Sequence, residues 1–402
     1  RALSINPDYA EAYNIIGNIY KDQGKPNNAI RSYKKAITLK SNYAEAHSNL
    51  GSIHRDRKQL EKALLYFEKA HSLKPDMSFI LGDILQIKMR LCKWDNLSNQ
   101  LIELRSRITN NEKVVSPFSL LGLIDDPKLQ KKASEIYANY YYPKSDNLPN
   151  ISVYPNHKKI RIGYFSADFK KHPVATLTAE LYEMHDREHF EVHAFSFGND
   201  TNDEMNLRIK SGVDYFHDVK KTSLKDLVLL SRSCEIDIAI DLGGFTKKAR
   251  TEVFAMSVAP IQLSYIGYLG TLGANYYDYL IADQIMIPND YQKYFLEKII
   301  YLPSFQVNDS KEKQPDIVLT RAEIGLPKDS FVFCCFNNTY KITPAVLDLW
   351  TPILKSVTDS VLLLVADNEI AKSNLIKEFN HRGIEASRLI FGGRLERPEY
   401  LA

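Results

Sequence analysis

Two stretches near the start of the chain are built on one pattern. Tyr9-Ala10-Glu11-Ala12 returns as Tyr43-Ala44-Glu45-Ala46, and Gly17, Ala29, Tyr33, Lys35, Ala36 and Leu39 find Gly51, Ala63, Phe67, Lys69, Ala70 and Leu73 at the same 34-residue offset. A repeat of this length constrains a fold more tightly than any composition, because one copy cannot bury its own apolar face and must stack on the next. Small residues and an aromatic recur at fixed places in each copy. Arg1-Ala2-Leu3 matches Lys35-Ala36-Ile37, so the chain is expected to begin inside an earlier copy. A third unit, from Pro75 through Trp94, keeps helical periodicity but loses the consensus, as terminal repeats do when they cap an array or dock on a neighbour. Helical character continues from Ser116 to about Tyr142, and Pro143, Pro149 and Pro155 then punctuate a short polar linker.

Beyond the linker the period changes. Short β-rich runs (Ile160 to Phe165, Phe190 to Phe197, Ile236 to Leu242, Ile261 to Tyr268) alternate with helical stretches, among them one from Ala175 to Met184, which is the pattern of a parallel sheet wrapped by helices. One Rossmann-like lobe is expected over about 158–310. A second series opens at Phe331 to Phe336 and continues through a helix (Pro344 to Ser356), a strand (Val361 to Val365), a helix (Ala371 to Arg382) and a strand (Leu389 to Phe391). Only 80 residues run from Glu323 to Ala402, whereas a complete lobe of this kind takes roughly 120 to 150. The chain is therefore expected to be cut at both ends. The division read from sequence is repeats over 1–110, a helical linker over 111–157, a first lobe over 158–315 and the start of a second over 316–402.

Composition narrows the partners. Lys plus Arg is 52 against 49 Asp plus Glu, a net charge of +3 with no dense basic tract, so neither nucleic acid nor a membrane surface is expected as a partner. The longest apolar run, Val361 to Ala366, falls far short of the ~20 residues that span a bilayer. Cys92, Cys234, Cys334 and Cys335 form no C-x-x-C and no Cys/His cluster at zinc spacing, and they are too scattered for a disulfide framework. A reducing, cytoplasmic location fits them.

In doubly wound sheets, ligands sit at the carboxyl ends of strands, so the loops leaving each strand are the informative ones. The first lobe's opening strand leads into Asp168-Phe-Lys-Lys-His172-Pro173; a His there can act as a general base, or it can simply cap the following helix. The third strand run ends in Asp241-Leu-Gly-Gly-Phe-Thr246 and the next in Gly267-Tyr-Leu-Gly270-Thr271-Leu-Gly273. Consecutive glycine amides in such loops can hold phosphate or peptide oxygens, the alternative being turn chemistry alone. The second lobe opens with Phe336-Asn337-Asn338-Thr339-Tyr340-Lys341, placing a Lys between a strand and a helix start, where it suits a leaving diphosphate or is merely solvated. No G-x-G-x-x-G, Walker A loop or Asp-x-Asp occurs, so dinucleotide, P-loop and metal-dependent transfer chemistries gain no support.

Taken in order, these motifs resemble known families. The 34-residue units resemble the tetratricopeptide repeat, which implies two antiparallel helices per unit packed through Ala and Gly, with Arg1-Ala2-Leu3 inside the second helix of an earlier repeat. Together with Arg161-Ile-Gly-Tyr-Phe-Ser-Ala-Asp-Phe, His172-Pro173, Asp241-Leu-Gly-Gly-Phe-Thr246, Ala259-Pro-Ile-Gln262, Gly267-Tyr-Leu-Gly-Thr271 and Cys335-Phe-Asn-Asn338-Thr-Tyr-Lys341, the chain resembles the O-linked N-acetylglucosamine transferase family, nearest its bacterial, SPINDLY-like members. The resemblance implies an α-helical tetratricopeptide superhelix followed by an α/β glycosyltransferase of the GT-B type, with two Rossmann-like lobes and the second incomplete. It implies inverting, metal-independent transfer of a sugar, foremost N-acetylglucosamine from UDP-N-acetylglucosamine, onto Ser or Thr hydroxyls of proteins recruited by the repeats. No cofactor is implied beyond that nucleotide-sugar substrate. By motif position His172 matches the family's proposed base, Lys341 its diphosphate-contacting Lys and Asn338 a donor-contacting position, while Thr246 and Thr271 match loops that line the family's cleft. Asn49 matches the Asn of the peptide-binding ladder, and the equivalent position one repeat earlier is Ile15. Leu269 stands where the family commonly has Pro, and the family's later nucleotide-gripping segment would follow Ala402.

Two other readings compete with this one. GDP-fucose as donor would make the enzyme a protein O-fucosyltransferase, and loss of the chemistry would leave a catalytically silent tetratricopeptide scaffold.

Overall fold

A computed structural model describes residues 6–152, 154–155, 157–307, 309–312, 318–393, 395 and 399–400. Arg1-Ala2-Leu3 and the 315/316 boundary lie outside the described residues. The four segments read from sequence group into two compact units, Arg1–Arg107 with Gln314–Ala402 and Ile108–Lys313.

The first unit opens with the repeats. Helices α1 (Ala10–Asp22) and α2 (Pro26–Leu39) form the first pair, and α3 (Ala44–Asp56) and α4 (Leu60–Leu73) the second. Each pair closes on the same lock: a Cβ on Gly17 would lie 2.4 Å from the Tyr33 ring, and a Cβ on Gly51 would lie 2.7 Å from the Phe67 ring. Glycine is required there because the aromatic of the second helix fills the space beside the first. The ion pairs Lys40–Glu11 (2.8 Å) and Lys74–Glu45 (2.9 Å) recur at the same spacing, but both are exposed and add little.

The third pair, α5 (Ile80–Arg90) and α6 (Leu97–Thr109), differs. Ile80, Leu81, Ile84, Leu85, Ile87 and Met89 are all buried, too many for a helix with one covered face. One side packs on α4 through Ile80, Ile84 and Ile87. Just past the helix, Cys92 and Trp94 join the core of the C-terminal α/β segment. The lost consensus thus marks docking, as the sequence allowed.

In the second unit, α7 (Pro117–Leu120) and α8 (Pro127–Tyr141) precede the sheet; Asp126 caps α8 by accepting from the Lys128 and Leu129 amides at 3.1 and 3.2 Å. The strands are β1 (Ile160–Ser166), β2 (Phe190–Ser196), β3 (Tyr215–Asp218), β4 (Ile238–Asp241), β5 (Ile261–Ser264), β6 (Tyr279–Ala282) and β7 (Lys298–Tyr301), all paired in parallel in the order β3-β2-β1-β4-β5-β6-β7. Sequence reading expected four strands here and missed β3, β6 and β7, each only four residues long. The expected helix from Ala175 to Met184 is also broken, into α9 (Pro173–Thr176) and α10 (Ala179–Met184). At the break Thr178 donates to the Val174 carbonyl at 2.8 Å and accepts from the buried Tyr182 hydroxyl at 2.8 Å. Between β3 and β4 lies α12 (Leu224–Ser233), and between β2 and β3 lies α11 (Glu204–Gly212).

The C-terminal segment of the first unit holds β8 (Phe331–Cys335), α13 (Pro344–Ser356), β9 (Ser360–Val365), α14 (Glu369–His381) and β10 (Leu389–Gly392), with parallel order β10-β9-β8. No helix among the described residues is long and apolar enough to cross a membrane.

Candidate functional site

The strand order reverses direction between β1 and β4, and that is where an open α/β sheet forms a ligand crevice, outside the carboxyl ends of its strands. The loop after β1 carries His172 and the loop after β4 carries Thr246. His172 caps α9: its Nδ1 accepts from the Val174 amide at 3.3 Å, and the same nitrogen lies 3.7 Å from Asp168 Oδ2. Its side chain is 39% exposed. Capping and base readings therefore meet on one ring. While Nδ1 accepts from Val174, a neutral imidazole carries its proton on Nε2; turning Nδ1–H toward Asp168 frees the Nε2 lone pair to take a proton.

At the β4 loop the second of the two readings, turn chemistry, is what the structure shows. The Gly243 and Gly244 amides donate to Asp241 Oδ1 at 2.8 and 3.0 Å, and the Tyr277 hydroxyl donates to Oδ2 at 2.6 Å. Asp241 is 2% exposed, and burial holds its pKa above the ordinary carboxylate range. Those amides are already occupied and do not form an anion cradle. Thr246 donates its hydroxyl to the Gly243 carbonyl at 2.7 Å and stays half-buried at the loop's end.

Thr271, matched by motif to a loop lining the family's cleft, is bound within its own loop. It is 4% exposed; its hydroxyl donates to Glu297 Oε2 at 2.6 Å and accepts from the Gly273 and Leu296 amides at 3.1 and 3.3 Å. One donor and two acceptor sites are all a hydroxyl has, so this side chain holds the loop and has nothing left for a ligand. Glu297, which sequence reading missed, completes the arrangement by accepting from the Leu272 amide at 2.6 Å, and burial raises its pKa. The glycines here are packing residues as well: a Cβ on Gly267 would stand 1.9 Å from the Leu242 carbonyl oxygen.

In the first unit, a single turn of 3-10 helix (Thr339–Lys341) follows β8 and brings Asn338 and Lys341 together in the open. The Lys341 amide donates to the Asn338 carbonyl at 2.9 Å, and Lys341 Nζ reaches Asn337 Oδ1 at 3.3 Å. Thr339 is the buried pivot of the turn. A Lys held loosely by one neutral amide keeps its charge available for an anionic group. Asn49 of α3 donates from Nδ2 to Asn14 Oδ1 at 3.0 Å, while Ile15 is 56% exposed. The asparagine that neighbours Asn49 across the repeats is thus Asn14, one residue before the position the 34-residue offset indicated.

The family model described as Glycosyl transferase family 41 matches residues 138–317 and 306–401, and tetratricopeptide models match 17–55 and 44–77. A probable UDP-N-acetylglucosamine--peptide N-acetylglucosaminyltransferase SEC of Arabidopsis thaliana is 33% identical over 77% of this chain and 34% of its own length. The corresponding transferase of Caenorhabditis elegans is 26% identical over 61% of this chain and 31% of its own. A probable transferase named SPINDLY from Oryza sativa subsp. japonica is 30% identical over 56% and 24%. The chain thus spans about a third or less of the curated relatives it matches. Among solved structures, a mutant of the Thermobaculum terrenum O-GlcNAc transferase superposes with a TM-score of 0.75 at 24% identity, covering 97% of this chain and 75% of that one, a likeness of fold.

Proposed function

The chain belongs to glycosyl transferase family 41, and on that footing we propose that it serves inverting, metal-independent transfer of N-acetylglucosamine from UDP-N-acetylglucosamine to Ser or Thr hydroxyls of proteins recruited by its repeats. The observation that carries this reading is the exposed turn after β8, which presents Lys341 beside Asn338. In the reaction the acceptor oxygen bonds to the anomeric carbon as the bond to the diphosphate breaks. The acceptor proton goes to His172 Nε2, with Asp168 favouring the tautomer that can receive it. The charge released on the diphosphate goes to Lys341. Asn338 is assigned to the donor. Thr246 is assigned to holding the β4 loop at the carboxyl end of its strand, and Asn49 to an acceptor backbone along the repeats.

The direct test incubates the full-length protein with acceptor proteins and radiolabelled UDP-N-acetylglucosamine or GDP-fucose in parallel. Label transferred from the first donor supports the reading. Label from GDP-fucose alone makes the enzyme a fucosyltransferase, and no release of either nucleotide leaves the scaffold reading.

A further inference from the structure

His193 sits on β2 and His217 on β3, where the parallel register pairs His193 with Tyr215 and Phe195 with His217. Alternation along a strand puts both imidazoles on one face of the sheet, two positions apart. The ring planes are nearly parallel (10°), with His193 Nδ1 3.1 Å from His217 Nε2. Cys234, immediately after α12, completes the group: one donor atom from each of the three side chains lies within 4.8 Å of the other two. Their chain spacing matches no metal motif, so only the fold brings them together. The supporting residues are also in place. Glu191 Oε1 stands 2.9 Å from His193 Nε2, and a carboxylate can only accept, so that nitrogen carries the proton and Nδ1 turns its lone pair toward His217 and Cys234. Arg161 holds this carboxylate at 3.2 Å from its Nε and donates from Nη1 to the Cys234 carbonyl at 3.1 Å, so one guanidinium fixes both the carboxylate and the main chain of the thiol residue.

We propose that His193, His217 and Cys234 form a site for a borderline divalent metal, zinc first among them, which ties β2, β3 and the end of α12 together. Two imidazoles and a thiolate suit zinc and exclude calcium and magnesium as occupants, and water completes the fourth position. At zinc–nitrogen bonds of ~2.0–2.1 Å, tetrahedral ligand nitrogens stand about 3.3 Å apart, close to the 3.1 Å separation of the two rings. On binding, the Cys234 thiol proton passes to solvent and the His217 proton moves from Nε2 to Nδ1. Both rings stay neutral. The site is distinct from the loops proposed for sugar transfer and does not depend on that activity.

The experiment titrates the chelator-stripped full chain with Co²⁺ and then displaces it with Zn²⁺. The expected result is a tetrahedral visible spectrum with a near-ultraviolet thiolate-to-cobalt band, saturating at one equivalent, and a zinc-dependent rise in melting temperature. Cys234→Ser abolishes the thiolate band and His217→Gln weakens binding at least tenfold, while Cys334→Ser keeps both signals. Glu191→Gln lowers affinity about 10- to 100-fold with the spectrum retained. Circular dichroism checks that each variant is folded. An octahedral or absent cobalt spectrum in the wild-type chain, or a thiolate band that survives Cys234→Ser, overturns the site and leaves a hydrogen-bonded histidine pair.

Discussion

The Thr339 hydroxyl donates to the main-chain carbonyl of Arg90 at 2.8 Å, fastening the turn that carries Asn338 and Lys341 to the end of α5. Asn368 reaches the same carbonyl at 3.3 Å, and Asn374 reaches the Leu91 carbonyl at 2.8 Å. The helical array therefore positions the turn in addition to bearing a surface of its own. Thr339→Val keeps the shape and removes the donor; because the Arg90 carbonyl still accepts from Asn368, chemical denaturation should show a loss of about 0.5–1.5 kcal/mol. The Michaelis constant for the nucleotide sugar should rise while acceptor-peptide affinity holds. An unchanged Michaelis constant would separate the turn from donor binding.

Lys341→Ala removes the charge assigned to the leaving diphosphate. Turnover should fall roughly 10²- to 10³-fold, the size expected for losing one stabiliser of developing charge. Acceptor binding measured by fluorescence anisotropy should not move. Lys341→Arg should recover only part of the rate, because a planar guanidinium cannot substitute for a compact ammonium. Wild-type turnover in the alanine variant would remove Lys341 from the reaction.

For His172 the prediction concerns the ring's two nitrogens. His172→Ala should lower kcat by about 10²- to 10⁴-fold and change the pH–rate profile, as loss of a general base does. Asp168→Asn should lower it less, by withdrawing the carboxylate that favours Nδ1–H. In the His172→Ala background Asp168→Asn should have no further effect, since the carboxylate acts through the ring. Additive losses in the double variant would mean that Asp168 acts independently.

What the sequence made legible and what it hid divide along physical lines. Periodic features were readable: the Gly17–Tyr33 and Gly51–Phe67 locks recur at a fixed offset, and the long strands β1 and β2 carry enough apolar residues to declare themselves. Short polar strands such as Tyr215–Asp218 were not, because four residues are too few for alternation to show. At the Asp241 loop the glycines signalled a tight path but left two readings open, because what their amides bind was decided by a carboxylate two residues earlier and a tyrosine brought in from position 277. Thr271 was singled out by its motif, yet its partner Glu297 sits in an ordinary Leu-Glu-Lys run. Asn338 and Lys341 were legible as neighbours because they share one turn. Their anchor at Arg90 was not, since nothing local links it to Thr339.

Glu297 makes a prediction about pH. Burial raises its folded-state pKa above the unfolded value of about 4.3, so the group binds more protons folded than unfolded in the window between the two. Its contribution to stability is fully present below the unfolded value and is lost as pH rises through the raised folded one. Glu297→Gln should be less stable than wild type at acid pH, where the neutral acid still bonds Thr271 and Leu272, and the gap should narrow toward neutrality. Urea midpoints measured across that range check this; parallel curves would show that Glu297 does not titrate in the folded loop.

The repeat lock can be tested in both directions. Gly51→Ala places a methyl 2.7 Å from the Phe67 ring, a distance that real Cβ contacts do not reach, and the ring is fully buried with no open side to move into. Overpacking of this kind costs about 1–3 kcal/mol, although alanine by itself favours a helix interior over glycine by roughly 1 kcal/mol. The steric term should win, and the melting temperature should fall. Phe67→Leu alone should also destabilise, through the cavity it leaves. Combined, the two changes should cost less than the sum of each alone, because the alanine methyl occupies space the phenyl ring has vacated. Strict additivity of the two losses, measured by denaturant unfolding of the full chain, would mean that Gly51 is not there to admit Phe67.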